Sequence, residues 1–288
     1  MRMKFTAFTS LLAALSLAIV ARATASPQVG DTYEITLTRD SAQQGSNGSS
    51  GSSHDQDAII ERVNGLRADG LELEYDLPNT VTSEERASVW QYPARVFKPI
   101  DGPEQLLNGQ ELEARIDNWL KAAAIPRSAC GHWIFTWNAF RIECNPQSVI
   151  ETIAAFDLRT APLREGASYQ DPEGRGTGKL IRKVGTPDSA GFEVEVPVDP
   201  DFVRRANAES DVAVGEILRK PVTYEAALRE RSNEAVSGTI SIEFQLDADG
   251  EVRRRTKVTK VEIKKPDGQS EKNTVTEILE RRLISRTP

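Results

Sequence analysis

The feature that most constrains the fold is a stretch of strict alternation near the C-terminus. Ile240, Ile242, Phe244 and Leu246 alternate with polar or small residues over 238–246, the period of a strand with one buried face. Asp249 and Gly250 follow, a pair that favours a hairpin turn, and Glu251–Ile263 runs back. Pro266, Asp267 and Gly268 turn the chain again. Thr274–Leu283 fits two readings. Val275, Ile278, Leu279 and Leu283 have helical spacing, yet the position after two hairpins favours a third strand, which we adopt. A sheet built this way needs other elements to cover its apolar face.

The rest of the chain supplies more strands and a few helices. Tyr33, Ile35 and Leu37 alternate within Asp31–Thr38, and Leu71, Leu73, Tyr75 and Leu77 alternate with Glu72, Glu74 and Asp76. Asp57–Val63 and Val89–Phe97 read as extended, the latter with Pro93 marking an edge or bulge. Gly45–Ser53 contains only Gly, Ser and Asn and reads as a flexible loop tip. Leu112, Ile116, Trp119 and Leu120 form one helical stripe over 108–123, with Asn108 as N-cap and Pro126 barring continuation. A second helix is expected from Asn145 and Pro146, with Val149, Ile150 and Ile153 inward. Strands are expected at 177–184 and 192–198, and short helices at Asp201–Ala208 and Thr223–Arg231. The fold class is therefore α+β: mainly antiparallel, curved sheet packed against two to four short helices. Thr160–Gly178, rich in Pro and Gly, is the candidate boundary between an N-terminal lobe, 26–165, and a C-terminal β-meander lobe, 166–288; a single domain is the alternative.

The N-terminus is an address. Arg2 and Lys4 form a basic head, residues 5–20 are almost wholly apolar, and Ala23 and Ala25 are the small residues a signal peptidase reads. This is a secretory signal peptide over 1–25. Its apolar run is shorter than the ~20 residues that span a bilayer, no cysteine follows it for lipid attachment, and no second spanning run appears. Cleavage removes Arg2, Lys4 and Arg22 and takes the net charge from −7 to −10. An acidic chain of this kind repels nucleic acid. Charged residues at 27% and the lack of long strands with an apolar outer face argue against a membrane barrel. The expected location is periplasmic or secreted.

Both cysteines, Cys130 and Cys144, bracket one aromatic segment. In an oxidising compartment they are expected to form a structural disulfide; redox catalysts favour the shorter C-x-x-C spacing. A hairpin with the loop Thr136, Trp137, Asn138 pairs Ile134 with Phe140, His132 with Ile142, and Cys130 with Cys144. Trp133 and Arg141 then pair on the other face, within reach of a cation–π contact. His132 reads as a packed strand residue. Trp133, Phe135 and Trp137 are the candidate floor of a ligand groove, set against the commoner role of strand aromatics as core.

Other motifs have simpler explanations. Glu72 and Glu74 are spaced ~7 Å apart, as glycosidase carboxylates can be, but match the polar face of an alternating strand. Asp247, Asp249 and Glu251 resemble part of a calcium loop that lacks its closing glutamate. His54, Asp55 and Asp57 have no partner histidine nearby. There is no G-x-S-x-G elbow, and Gly174–Gly178 lacks the Lys-Ser/Thr of a phosphate loop. Arg253, Arg254, Arg255 and Lys257 are divided over two strand faces, where Glu243, Glu277 and Glu280 can balance them. No catalytic residue, cofactor or metal site is assigned.

The leader, together with Ser237–Phe244 and Asp247–Gly250, resembles uncharacterised secreted β-rich proteins of Gram-negative bacteria. The resemblance implies an envelope location and carries no functional residues with it. The reading is a non-catalytic exported protein that binds a lipid-like ligand or an envelope protein. A cell-wall or glycan hydrolase using His132 or an unrecognised carboxylate is the alternative. Oligomeric state is not legible at this level.

Overall fold

The computed structural model describes residues 27–135, 139–158, 163–183, 190–247 and 250–286. The leader over 1–25, Trp137 and the turn residue Asp249 lie outside the described residues.

The first half of the chain contains β1 (Thr32–Gly45), β2 (Ser50–Arg67), β3 (Gly70–Asp76), α1 (Ser83–Ala87), β4 (Ala94–Pro99), β5 (Gln105–Leu106), α2 (Gly109–Ala122), β6 (Trp133–Phe135), β7 (Ala139–Arg141) and α3 (Ser148–Ala154). The second contains β8 (Ser168–Tyr169), β9 (Gly178–Lys179), β10 (Ile181–Lys183), β11 (Gly191–Pro197), α4 (Pro200–Ile217), α5 (Tyr224–Arg231), β12 (Ala235–Leu246), β13 (Val252–Lys264) and β14 (Ser270–Ser285). Ten strands form one open sheet in the order β10-β11-β12-β13-β14-β1-β2-β3-β4-β5. Every pairing in it is antiparallel. The ambiguous 274–283 segment is a strand, and the first strand of the sheet, β1, pairs along its whole length with the last, β14.

Register places the apolar residues on one face. Phe192, Phe244, Arg255, Leu279, Leu37 and Asp57 are successive cross-strand partners over six strands. On this inner face one cluster joins Ile35, Ile59, Val63, Leu73, Tyr75 and Val96 to Leu112 and Ile116 of α2 and Val149 and Ile153 of α3. A second joins Phe192, Val194, Val196, Ile240, Ile242 and Phe244 to Leu180 and Val198. Its cover is the irregular chain around β8 and β9, where the Tyr169 ring meets Phe244 edge-on at 5.6 Å. Lys257 anchors that cover. It is buried on β13 and bridges Asp171 at 3.1 Å and Glu173 at 2.9 Å. The basic stretch is thus divided by strand parity, as alternation requires: Arg254 turns to the other face and pairs with Glu280.

Several boundaries differ from expectation. Gly45–Ser53 is not all loop: β2 begins at Ser50, because backbone pairing with β1 continues past the last core residue. The sheet carries five α-helices among the described residues, not two to four, and α4 has 18 residues where 201–208 was expected. Its buried positions include Ala208, Ala213 and Gly215, small residues that leave no bulky apolar period to read. A Cβ on Gly215 would lie 2.9 Å from the Lys220 carbonyl oxygen, so the close return after α4 requires glycine there. Asn108 precedes α2 but does not cap it through its side chain. It accepts from the Arg95 backbone N–H at 2.9 Å and donates to the Pro93 carbonyl at 3.1 Å, tying α2 to β4.

Replacing Lys257 by Met leaves the buried Asp171 without its cation. The expected loss is about 3–5 kcal/mol of unfolding free energy, read by urea denaturation. Burial by itself lowers the lysine pKa, but Glu173 and Asp171 outweigh it and the net shift is upward from 10.5. A raised folded value means that the contribution is complete below 10.5 and is lost as pH rises through the higher folded value. The difference between wild type and Lys257→Met is therefore expected to be constant around neutral pH and, on the alkaline side, to shrink only in strong alkali.

Candidate functional site

The disulfide hairpin follows the expected register. Trp133 pairs with Arg141, Ile134 with Phe140 and Phe135 with Ala139. Cys130 and Cys144 are bonded, with Cα atoms 5.6 Å apart. Ile142 is buried, and Ile134 and both cysteines pack against the larger cluster. Two details differ. His132 is exposed, not packed, and its Nδ1 lies 2.8 Å from Glu216 Oε1 on α4; the same oxygen accepts from the Trp133 N–H at 3.3 Å. Arg141 donates from Nε to the Gly131 carbonyl at 2.9 Å; guanidinium–ring contacts are made instead by Arg67 on Phe97 and by Arg281 on Tyr33.

The hairpin forms one wall of a cavity of about 630 Å³ on the inner face, beside β2. Its aromatic lining is Trp90, Tyr92, Trp119, Phe140 and Phe156. Each arrives there for a local reason. The helix α1 starts with a reciprocal cap, Thr82 accepting from the Glu85 N–H and Glu85 accepting from the Thr82 N–H. Arg86 then clasps Asp76 and donates to the carbonyls of Leu77 and Pro78. The chain is thereby returned to the end of β3, and 88–92 crosses to the cavity, burying Trp90 and Tyr92. Trp119 sits at the margin of the α2 stripe, half-buried beside the fully buried Ile116 and Leu120. Phe140 projects from β7 and is 38% exposed.

Polar groups lie mainly at the margins. Asp57 on β2 is exposed and borders the cavity. Burial, and secondarily the negative charge of Asp57, push the Tyr92 hydroxyl far above its ordinary pKa, so it stays neutral. Glu143 spends one oxygen on the Cys144 and Asn145 N–H groups at 2.9 and 2.7 Å. The arrangement suits an apolar body held by aromatic walls with a polar end near Asp57 and Arg141.

Of the aromatics singled out in the sequence, Trp133 is half-buried and is not among the lining residues. Phe135 is placed by its backbone pairing with Ala139, and Trp137 lies outside the described residues. Glu74 pairs with Arg62 at 2.7 Å and Glu72 with Arg67, so both carboxylates serve in strand-face ion pairs. His54 meets Asp40 at 2.7 Å. Asp247 accepts from the Glu251 N–H at 2.9 Å, closing the hairpin. Among the described residues no three His, Cys, Asp or Glu side chains gather as a metal cluster. The cavity aromatics carry only a weak sequence signal, the alternation of Trp90 and Tyr92 and the off-centre place of Trp119 on its stripe.

No family model matches this sequence, and no curated protein matches it. Among solved structures, one described as lipid–protein interactions in lipovitellin aligns with 8% identity and a TM-score of 0.41. The alignment covers 91% of this chain and 26% of that one, so the chain spans about a quarter of that structure. A likeness this slight bears on neither fold nor function.

The cysteines are 14 positions apart, and closing a loop of that size contributes roughly 3 kcal/mol through the unfolded state. Protein purified without reductant is expected to show no labelling by a thiol reagent in denaturant. Reduction is expected to lower the urea midpoint accordingly, with the far-ultraviolet spectrum of the sheet retained.

Proposed function

We propose that this chain is an exported, non-catalytic binding protein whose ligand is a lipid-like small molecule with an apolar body and a polar end. The observation that carries the reading is the aromatic cleft: five large rings line a solvent-open hollow of about 630 Å³. A cleft of these dimensions with mostly apolar walls is the ordinary form of a small-molecule site. Export is supported by the leader composition and by the Cys130–Cys144 bond, which persists in oxidising compartments. No described helix is long and apolar enough to cross a membrane. The periplasm of a Gram-negative cell, or the extracellular space, is the location we assign on the leader and the disulfide.

The hydrolase alternative gains no support from the residues that prompted it. Glu72 and Glu74 are committed to arginines, and His132 lies outside the cavity lining.

Titration with N-phenyl-1-naphthylamine, an apolar fluorophore, tests the reading. Saturable binding with one probe per chain, reversed by a long-chain fatty acid or a lysophospholipid, is expected. Phe140→Ala removes a wall that is already part-exposed, so the fold is expected to survive while probe affinity falls roughly tenfold, about 1.4 kcal/mol. Non-saturable binding, or affinity indifferent to Phe140→Ala and to Trp119→Ala, counts against the cavity as the site. Native mass spectrometry of protein taken from the periplasm reads any ligand that copurifies.

A further inference from the structure

The strand β2 carries a long free edge. Its first eight residues, Ser50–Asp57, are all exposed. On one side they pair with β1; on the other, pairing with β3 begins only at Ile60, opposite Asp76. The direction of the backbone groups follows from bonds nearby. Val63 donates its N–H to Asp31 at 2.9 Å and accepts from Gly30 at 2.8 Å, and Gly45 donates to Ser49 at 2.8 Å. Odd-numbered β2 residues therefore direct N–H and C=O toward β1. Ser50, Ser52, His54 and Gln56 direct theirs outward, where no described strand meets them.

Open edges are normally blunted by shortness, charged side chains and lysine above all, proline, bulges or a covering segment. The two ends of this sheet follow that rule, with a two-residue β5 and a three-residue β10 that ends in Lys183. Ser50–Asp57 contains no proline, no lysine and no register shift against β1. Its side chains are small or polar. His54 is bonded to Asp40 at 2.7 Å, Asp55 stands across from Arg39, and Asp57 stands across from Leu37.

We propose that this edge is a homodimer interface, in which Ser50–Gln56 pairs antiparallel with the same segment of a second copy. A two-fold axis near Ser53 sets Ser52 against His54 and Ser50 against Gln56, so each outward residue exchanges two backbone hydrogen bonds with its partner. The same axis sets Asp55 against Gly51, and Asp57 against Ser49, so no carboxylate faces another. Antiparallel pairing also sends the two bodies to opposite ends of the shared ribbon, because the core begins at Ile59 and the segment projects beyond it. A foreign extended segment gains the same backbone bonds, but a second copy supplies this charge register from the protein's own residues.

Analytical ultracentrifugation over a wide concentration range tests the proposal. Wild type is expected to move from the mass of one chain to twice that mass. Ser52→Pro removes an outward N–H that the fold does not use, so it is expected to remain a monomer with an unchanged melting temperature. Gly51 has open space around it, so Gly51→Asp fits the monomer. It places a second carboxylate against Asp55 of the other copy, twice per dimer, and is expected to weaken dimerisation roughly tenfold; Gly51→Lys is expected to strengthen it. A wild type that stays monomeric throughout overturns the proposal, including when it captures an unrelated extended peptide. So does a dimer indifferent to both Ser52→Pro and Gly51→Asp. Neither residue lines the cavity, so probe binding is expected to persist in both variants whatever their mass.

Discussion

The architecture depends on the pairing of β1 with β14. It joins the beginning of the described chain to its end, and through it the strands on either side become one sheet. The pairing is more than a backbone ladder. Arg281 reaches from β14 to Glu61 at 2.8 Å, and Glu61 also accepts from the Tyr75 hydroxyl at 3.0 Å. The same guanidinium lies 3.4 Å from the centre of the Tyr33 ring. Arg39 with Glu277 and Arg282 with Glu34 add ion pairs along the seam. Glu61 is 1% exposed, and a carboxylate that deep is tolerated only with its charge met and its lone pairs used. The seam is therefore specific as well as stable: a register slip of one residue strands Glu61 without Arg281.

That seam organises what covers the inner face. Two clusters lie side by side on a common sheet, one roofed by α2 and α3, the other by irregular chain pinned through Lys257. The roofs are made of different material for a physical reason. Helices supply wide apolar stripes and bury β1–β4 efficiently. The chain around β8 and β9 contributes isolated apolar side chains such as Leu180 and Tyr169, and is further held by a buried ion pair and by the Tyr169–Phe244 contact. The aromatic cavity opens beside the first roof, where the disulfide hairpin, α2 and segment 88–92 meet at β2 without closing the gap.

Strand periodicity was legible wherever one face was buried and the other wet, as in 71–77 and 238–246. The hairpin register about the cysteines was legible too, because two cysteines, a short loop and alternating side chains admit few pairings. Three things were not. The strand continuing through Ser50–Asp57 has no apolar face to betray it; it exists because β1 offers a ladder to pair with. The length of α4 was hidden by its Ala and Gly contacts. The cavity was hidden because a buried ring that fills space and one that borders it have the same local sequence.

By itself the sequence determined the local periods, the pairing of its two cysteines by number and spacing, and the acidic balance of the chain. These rest on neighbours within a few residues or on summed charge. Only the tertiary structure decided that the first and last strands meet, that Lys257 is an anchor while Arg254 is a surface charge, and that His132 serves Glu216 outside the core. It also decided which aromatics border open space and which strand edge stays free. Those outcomes depend on contacts between residues far apart in the chain, where the energy of burial and pairing is set by geometry that no local pattern encodes.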